Sequence, residues 1–227
     1  MHIGLIGGIG PAATVFYYER IARAFAVAEA PLHLTIGHTS ALELSRNVAA
    51  GRVDAQAAEF TRVAHQLTAA GADTIVITSM GGHFCAREFA AQSPLPLIDG
   101  PTAVARHLKQ AGINRIGVLG TRIVMESQLY GALSDLDPIV PVGADLTQVN
   151  DDYVAIAIAG EATVEQRDRL LAAGEALVRD QGAEAVLLGG TDLNLAYDGR
   201  NFDHPVIDSA AVHADAVVAH ALADAAG

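Results

Sequence analysis

Short apolar runs alternate along this chain with longer stretches in which apolar residues recur every third or fourth position. The first pattern is that of buried strands, and the second that of helices with one covered face. It predicts strands over residues 2–6, 32–37, 74–78, 97–98, 115–119, 139–142, 185–188 and 206–207. Helices are predicted over 12–28, 53–70, 82–91, 101–110, 124–133, 148–159, 163–181 and 210–226. Pro11 suits the first position of its helix, and Gly71 closes the helix before it as a C-terminal cap. Strands alternating with helices imply α/β architecture, with parallel sheets covered on both faces. Such sheets bind ligands in the turns that follow the C-terminal strand ends. Here those turns are 7–11, 38–46, 79–83, 120–124 and 189–192.

The pattern occurs twice. Gly71–Phe84 (GADTIVITSMGGHF) returns about 111 residues later as Gly182–Leu195 (GAEAVLLGGTDLNL). Ile3–Gly7 returns as Ile116–Gly120, and Pro96–Asp99 as Pro205–Asp208. Three matched segments at nearly one offset predict two similar Rossmann-like or flavodoxin-like halves, related by a pseudo-twofold, with a site between them. The expected boundaries put 1–99 with 209–227 in the first half and 100–208 in the second. The final helix is expected to pack back on the first half.

Composition narrows the partners. The chain has 227 residues, 51% of them hydrophobic and only 5% aromatic, which suits parallel sheets under Ala-rich helices. Fourteen Lys and Arg against 26 Asp and Glu give a formal charge of −12. That balance argues against nucleic acid or an anionic membrane as partner, and leaves a small anionic ligand open. A single cysteine, Cys85, excludes an internal disulfide and a cysteine metal cluster. Neither a secretion signal nor an apolar stretch of membrane-spanning length is visible, so a cytoplasmic protein is expected.

The candidate chemistry lies in the strand-end turns. Gly7-Gly8-Ile9-Gly10-Pro11 lacks the spacing of both the dinucleotide fingerprint and the phosphate loop, so no nucleotide cofactor is expected. His83 follows Ser79 by four residues and reads either as a site residue or as a buried structural histidine. Arg46 is either a bidentate carboxylate clamp or a solvated helix arginine. Asp99 and Asp208, each between a strand and a helix, read as N-caps. Cys85 reads as a small core residue, with a site-lining thiol as its alternative.

These segments together resemble the aspartate/glutamate racemase superfamily. GGIGPAAT at Gly7–Thr14, GADTIVITSMGGH at Gly71–His83 and IGVLGTRIVMESQLY at Ile116–Tyr130 are similar to its motifs, as are LGGTDL at Leu188–Leu193 and PVIDSAAVHADAVV at Pro205–Val218. The resemblance implies proton transfer at the carbon beside a carboxylate, without pyridoxal phosphate or metal. Two thiols, one from each half, act on opposite faces of the substrate. In this chain the first thiol position is Ser79 and the second is Gly190. The implied catalytic set is therefore Ser79, His83, Gly190 and Asp192. The implied substrate contacts are Gly8, Ser40, Arg46, Met80, Gly81, Thr121 and Thr191. No metal or cofactor is implied, and the expected assembly is a homodimer binding a small carboxylate or amino acid. Because glycine has no side-chain group to give or take a proton, two outcomes compete. One is a divergent isomerase or lyase using Ser79 with His83 on one side and Asp192, or a water at Gly190, on the other. The second is a ligand-binding homologue that kept the pocket and lost the chemistry.

Overall fold

In a computed structural model, which describes residues 1–197 and 201–225, the chain builds two four-stranded parallel sheets. In chain order the first elements are β1 (His2–Gly7), α1 (Pro11–Val27), β2 (His33–His38), α2 (Ala41–Ala49), α3 (Val53–Ala69), β3 (Thr74–Ile77), α4 (Ala86–Gln92), β4 (Leu97–Ile98) and α5 (Gly100–Gln110). There follow β5 (Arg115–Leu119), α6 (Arg122–Glu126), β6 (Asp137–Ile139), α7 (Gly143–Ala159), α8 (Val164–Arg179), β7 (Ala185–Leu188), α9 (Asn194–Tyr197), β8 (Val206–Asp208) and α10 (Ser209–Ala225). The strand orders are β2-β1-β3-β4 and β6-β5-β7-β8, so the sequence repeat is a repeat of topology. The chain divides into two compact units, Met1–Ala103 with the segment from His213 onward, and Val104–Val212.

In the first unit, Ile6, Ile75 and Ile77 of the sheet pack under Phe60, Val63 and Leu67 of α3 and Phe89 of α4. The Phe60 and Phe89 rings meet edge to face, with centroids 5.9 Å apart. Helix α1 buries Tyr17, Ile21 and Phe25, spaced four apart on one stripe. Full burial of each such side chain stabilises the fold by about 1.5–3 kcal/mol. The last helix joins this unit: His213 donates from Nε2 to the Ile98 carbonyl at 2.9 Å, and Arg20 grips Asp215 bidentately.

In the second unit, Leu119, Val186 and Leu188 pack under Val149 and Ile156 of α7 and Leu170 and Leu177 of α8. Asp152, buried on α7, receives Arg169 of α8 bidentately at 2.7 and 2.6 Å, which locks the two helices together. Thr163 and Gln166 form a capping box at the start of α8.

Several boundaries differ from the sequence expectation. The turn expected over 38–46 instead runs from Ala41 into α2, because Ser40 accepts the Glu43 N–H and caps that helix. The helix expected from 82 begins instead as a tight 3-10 turn over Gly81–Cys85, and α4 follows only from Ala86. The helix expected over 124–133 ends at Glu126, since Gln128, Leu129 and Tyr130 all adopt positive φ. Helix α7 starts five residues earlier than expected, with Asp145 in its first turn favouring the helix N-terminus. Strand β6 covers 137–139 rather than 139–142. The turn expected over 189–192 holds a short 3-10 turn, Thr191–Leu193, leading into α9. Ala226, the last residue of the expected final helix, lies outside the described residues.

Candidate functional site

At the C-terminal end of β1, Gly8 has φ +82, and a Cβ there would lie 2.4 Å from the His38 ring and the Thr39 carbonyl. Glycine alone satisfies both conditions. The Gly8 N–H donates to Thr14 Oγ1 at 2.9 Å, and that oxygen lies 3.1 Å from the Thr78 hydroxyl. Thr78 in turn donates to the Ile6 carbonyl at 3.0 Å. Two threonines, neither singled out from the sequence, thus tie the β1 turn to the end of β3.

Ser79 follows immediately. Its hydroxyl accepts the Gly82 N–H at 3.3 Å, from within the 3-10 turn that begins at Gly81. His83 is buried in that turn. Its Nδ1–H donates to the Ser79 carbonyl at 2.8 Å, and its Nε2 accepts the Gly100 N–H at 3.2 Å. These two bonds select one neutral tautomer, and burial holds the ring's pKa below the ordinary histidine value. His83 therefore grips the backbone of Ser79 rather than its hydroxyl. Met80 is buried, and its Cε would stand 2.6 Å from a methyl placed at Gly100.

Ser40 spends its oxygen on the α2 cap at 3.3 Å. Arg46, exposed on α2, lines an open cavity of about 310 Å³ with Glu43, Asn47, Arg52, Ala55 and Glu59. Neither Ser79 nor His83 lines that cavity. Asp99 accepts the Thr102 N–H at 2.8 Å, and Asp208 the Ala210 N–H at 2.8 Å, both as helix caps. Cys85 is fully buried, its thiol directed at the Gly82 carbonyl, and burial pushes its pKa up to about 12. It carries no thiolate at neutral pH and packs as a core residue.

In the second unit, Thr121 caps α6 by accepting the Val124 N–H at 3.4 Å. The Arg122 N–H donates to Asn150 of α7 at 2.8 Å. Thr191 and Asp192 are both buried at the start of their turn. Gly190 is extended, with φ −159, a conformation open to any residue. Space is what limits it: a Cβ there would meet Tyr153 Oη and Cε2 at 2.5 Å and Cζ at 2.6 Å. The Tyr153 hydroxyl donates to Asp192 Oδ2 at 3.4 Å. Burial raises the Asp192 pKa, and the bond from Tyr153 opposes the rise. Burial and the Asp192 charge together raise the phenol's pKa. Tyr153 was not among the residues expected from sequence; its one local signal is an aromatic ring directly after the polar stretch Asn150–Asp152. Among the described residues, no group of three His, Cys, Asp or Glu side chains is arranged to hold a metal ion. No helix among them is long and apolar enough to cross a membrane.

A family profile described as Asp/Glu/Hydantoin racemase matches residues 6–217. Among solved structures, a proposed Asp/Glu racemase from Yersinia pestis is 30% identical, covers 98% of this chain and 100% of its own, and superposes with a TM-score of 0.86. An aspartate racemase homologue from Pyrococcus horikoshii is 23% identical over 97% of this chain and 99% of its own, with a TM-score of 0.81. An aspartate racemase from Picrophilus torridus is 21% identical over 97% and 94%, with a TM-score of 0.74. The last two likenesses concern the fold.

Proposed function

Because the chain belongs to the Asp/Glu/hydantoin racemase family, we propose that it is a cofactor-independent isomerase acting on the α-carbon of a small carboxylate of the aspartate or glutamate kind. The observation that supports this reading most directly is the equivalence of two turns. The Ser79 turn follows β3 and the Asp192 turn follows β7, and these strands hold the same place in two sheets of one topology. Both turns stand at C-terminal strand ends, where parallel sheets gather their ligand-binding groups.

In this reading Ser79 is the proton-transfer group of the first unit and Asp192 that of the second. His83 holds the Ser79 carbonyl and so positions the turn. Gly8, Met80, Gly81, Ser40, Arg46, Thr121, Thr191 and Gly190 frame the ligand. A carboxylate whose pKa is raised by burial is a better base than a solvated one, which suits Asp192. A serine hydroxyl is a weak base that needs an activating partner, and His83 has both ring nitrogens committed elsewhere. We therefore expect slow turnover. The family likeness also supports a homodimer working in the cytoplasm, which sedimentation and fractionation would check.

One observation favours a second reading. Among the described residues, the Ser79 hydroxyl is bonded to a backbone N–H and to no histidine, carboxylate or amine. A ligand-binding homologue without turnover has that arrangement. Proton NMR in D₂O with D- and L-aspartate, D- and L-glutamate and small dicarboxylates separates the two. Loss of the α-proton signal supports the isomerase. Exchange in one enantiomer without inversion points to one-sided chemistry of the lyase or decarboxylase kind. Thermal stabilisation by a ligand with no exchange establishes the binding homologue.

A further inference from the structure

Tyr153 and Gly190 share one volume. The phenol ring stands where a side chain at position 190 would begin, 2.5 Å from the Cβ that glycine lacks. Real Cβ atoms do not tolerate such approaches, so the ring and a position-190 side chain exclude each other unless one moves. The exclusion is steric, since the backbone of Gly190 is ordinary extended chain. The ring is held from two sides: it packs against the second unit's core, and α7 is fixed to α8 by the Asp152–Arg169 pair. Its hydroxyl then reaches Asp192, two residues beyond Gly190.

Building on the isomerase reading, we propose that Tyr153 is a positioning residue: its ring occupies the position-190 side-chain space and its hydroxyl orients Asp192 as the second unit's proton carrier. In the step assigned to Asp192, a carboxylate oxygen takes the α-proton. The C–H bond breaks, its electron pair passes into the enolate of the adjoining carboxylate, and the O–H bond forms. Return of that proton to carbon restores the carboxylate. Tyr153 donates its O–H to Asp192 Oδ2 throughout, leaving the other oxygen to move the proton.

Two measurements test this, and only the second depends on turnover. The first is a thermal-unfolding cycle of Gly190→Cys, Tyr153→Ala and the double variant, with Gly190→Ala as a smaller probe. We expect Gly190→Cys and Gly190→Ala each to lower the Tm by several degrees in the native background and by little beside Tyr153→Ala, because truncation vacates the shared volume. Equal losses in both backgrounds overturn the proposal. The second compares α-proton exchange in the wild type and in Tyr153→Phe, which keeps the ring and removes the hydroxyl. We expect kcat to fall about tenfold at nearly constant KM and Tm, the scale of a lost hydrogen bond to a charged group. Unchanged kcat removes the orienting role. Should the wild type exchange no substrate, the isomerase reading fails. The unfolding cycle then still decides whether Tyr153 holds the position-190 space. In that case the double variant, with a thiol at 190 and room for it, is the form expected to gain exchange; its silence as well would remove any catalytic part for this volume.

Discussion

His83 and His213 stand ring against ring, with centroids 5.6 Å apart and planes at 72°. Each ring has both nitrogens engaged: His83 by Ser79 and Gly100, His213 by Tyr17 at 2.9 Å and the Ile98 carbonyl at 2.9 Å. A residue of the last helix thus backs the histidine that grips the Ser79 turn. Both rings are buried and neutral, because burial outweighs every nearby charge.

This pair should make the fold acid-sensitive in a defined window. Burial, reinforced by His83, lowers the His213 pKa from 6.5 to about 3, and that of His83 moves the same way. Between those values the unfolded chain binds protons that the folded chain refuses. The stabilisation is complete above about pH 6.5 and is lost as the pH falls toward 3. Each histidine contributes a slope of up to about 1.4 kcal/mol per pH unit. Urea midpoints measured from pH 7.5 to 4 should decline, and His213→Gln should flatten the decline.

The β1 turn should tolerate little change. We expect Gly8→Ala to cost about 2 kcal/mol or more, since it combines a positive φ with a clash against His38 and the Thr39 carbonyl. Thr14→Val should cost about 1–3 kcal/mol by leaving the buried Gly8 N–H without its acceptor. Chemical denaturation of both variants checks this, with Gly51→Ala as a comparison at a positive φ with no neighbours within 4 Å.

Cys85 should be silent toward thiol reagents. A fully buried thiol with a pKa near 12 offers almost no thiolate at pH 7.5. Labelling with a maleimide should follow global unfolding, and Cys85→Ala should leave any α-proton exchange unchanged. Rapid labelling of the folded protein with loss of exchange would return Cys85 to the chemistry.

Ser79→Cys should raise the exchange rate at least ~10-fold, because a thiolate needs less help than an alkoxide to act as base. Ser79→Ala should abolish what the wild type shows. Both follow from the place of Ser79 at the end of β3.

The parallel α/β architecture was legible in the sequence because alternation of short apolar runs with helical periodicity reports burial directly. The misplaced elements have local causes that periodicity does not carry. Helix α2 depends on a single serine cap, and α6 stops on three positive-φ residues that are not glycine. Within the candidate site, Ser79, His83, Thr191 and Asp192 could be located from the repeat and its motif. Tyr153 could not, since its bond to Asp192 joins residues 39 apart in sequence and its significance lies in the side chain that Gly190 lacks. The commitment of His83 to the Ser79 carbonyl and the Gly100 N–H likewise depends on a contact across 17 residues.

The most direct measurement follows the α-proton signals of D- and L-aspartate and D- and L-glutamate by NMR in D₂O, with wild type, Ser79→Ala and Asp192→Asn side by side. Slow loss of the signal from at least one of these amino acids is expected with the wild type, and none above background with either variant. Exchange that persists undiminished in both variants, or a wild type that exchanges nothing while its melting temperature rises with ligand, would contradict it.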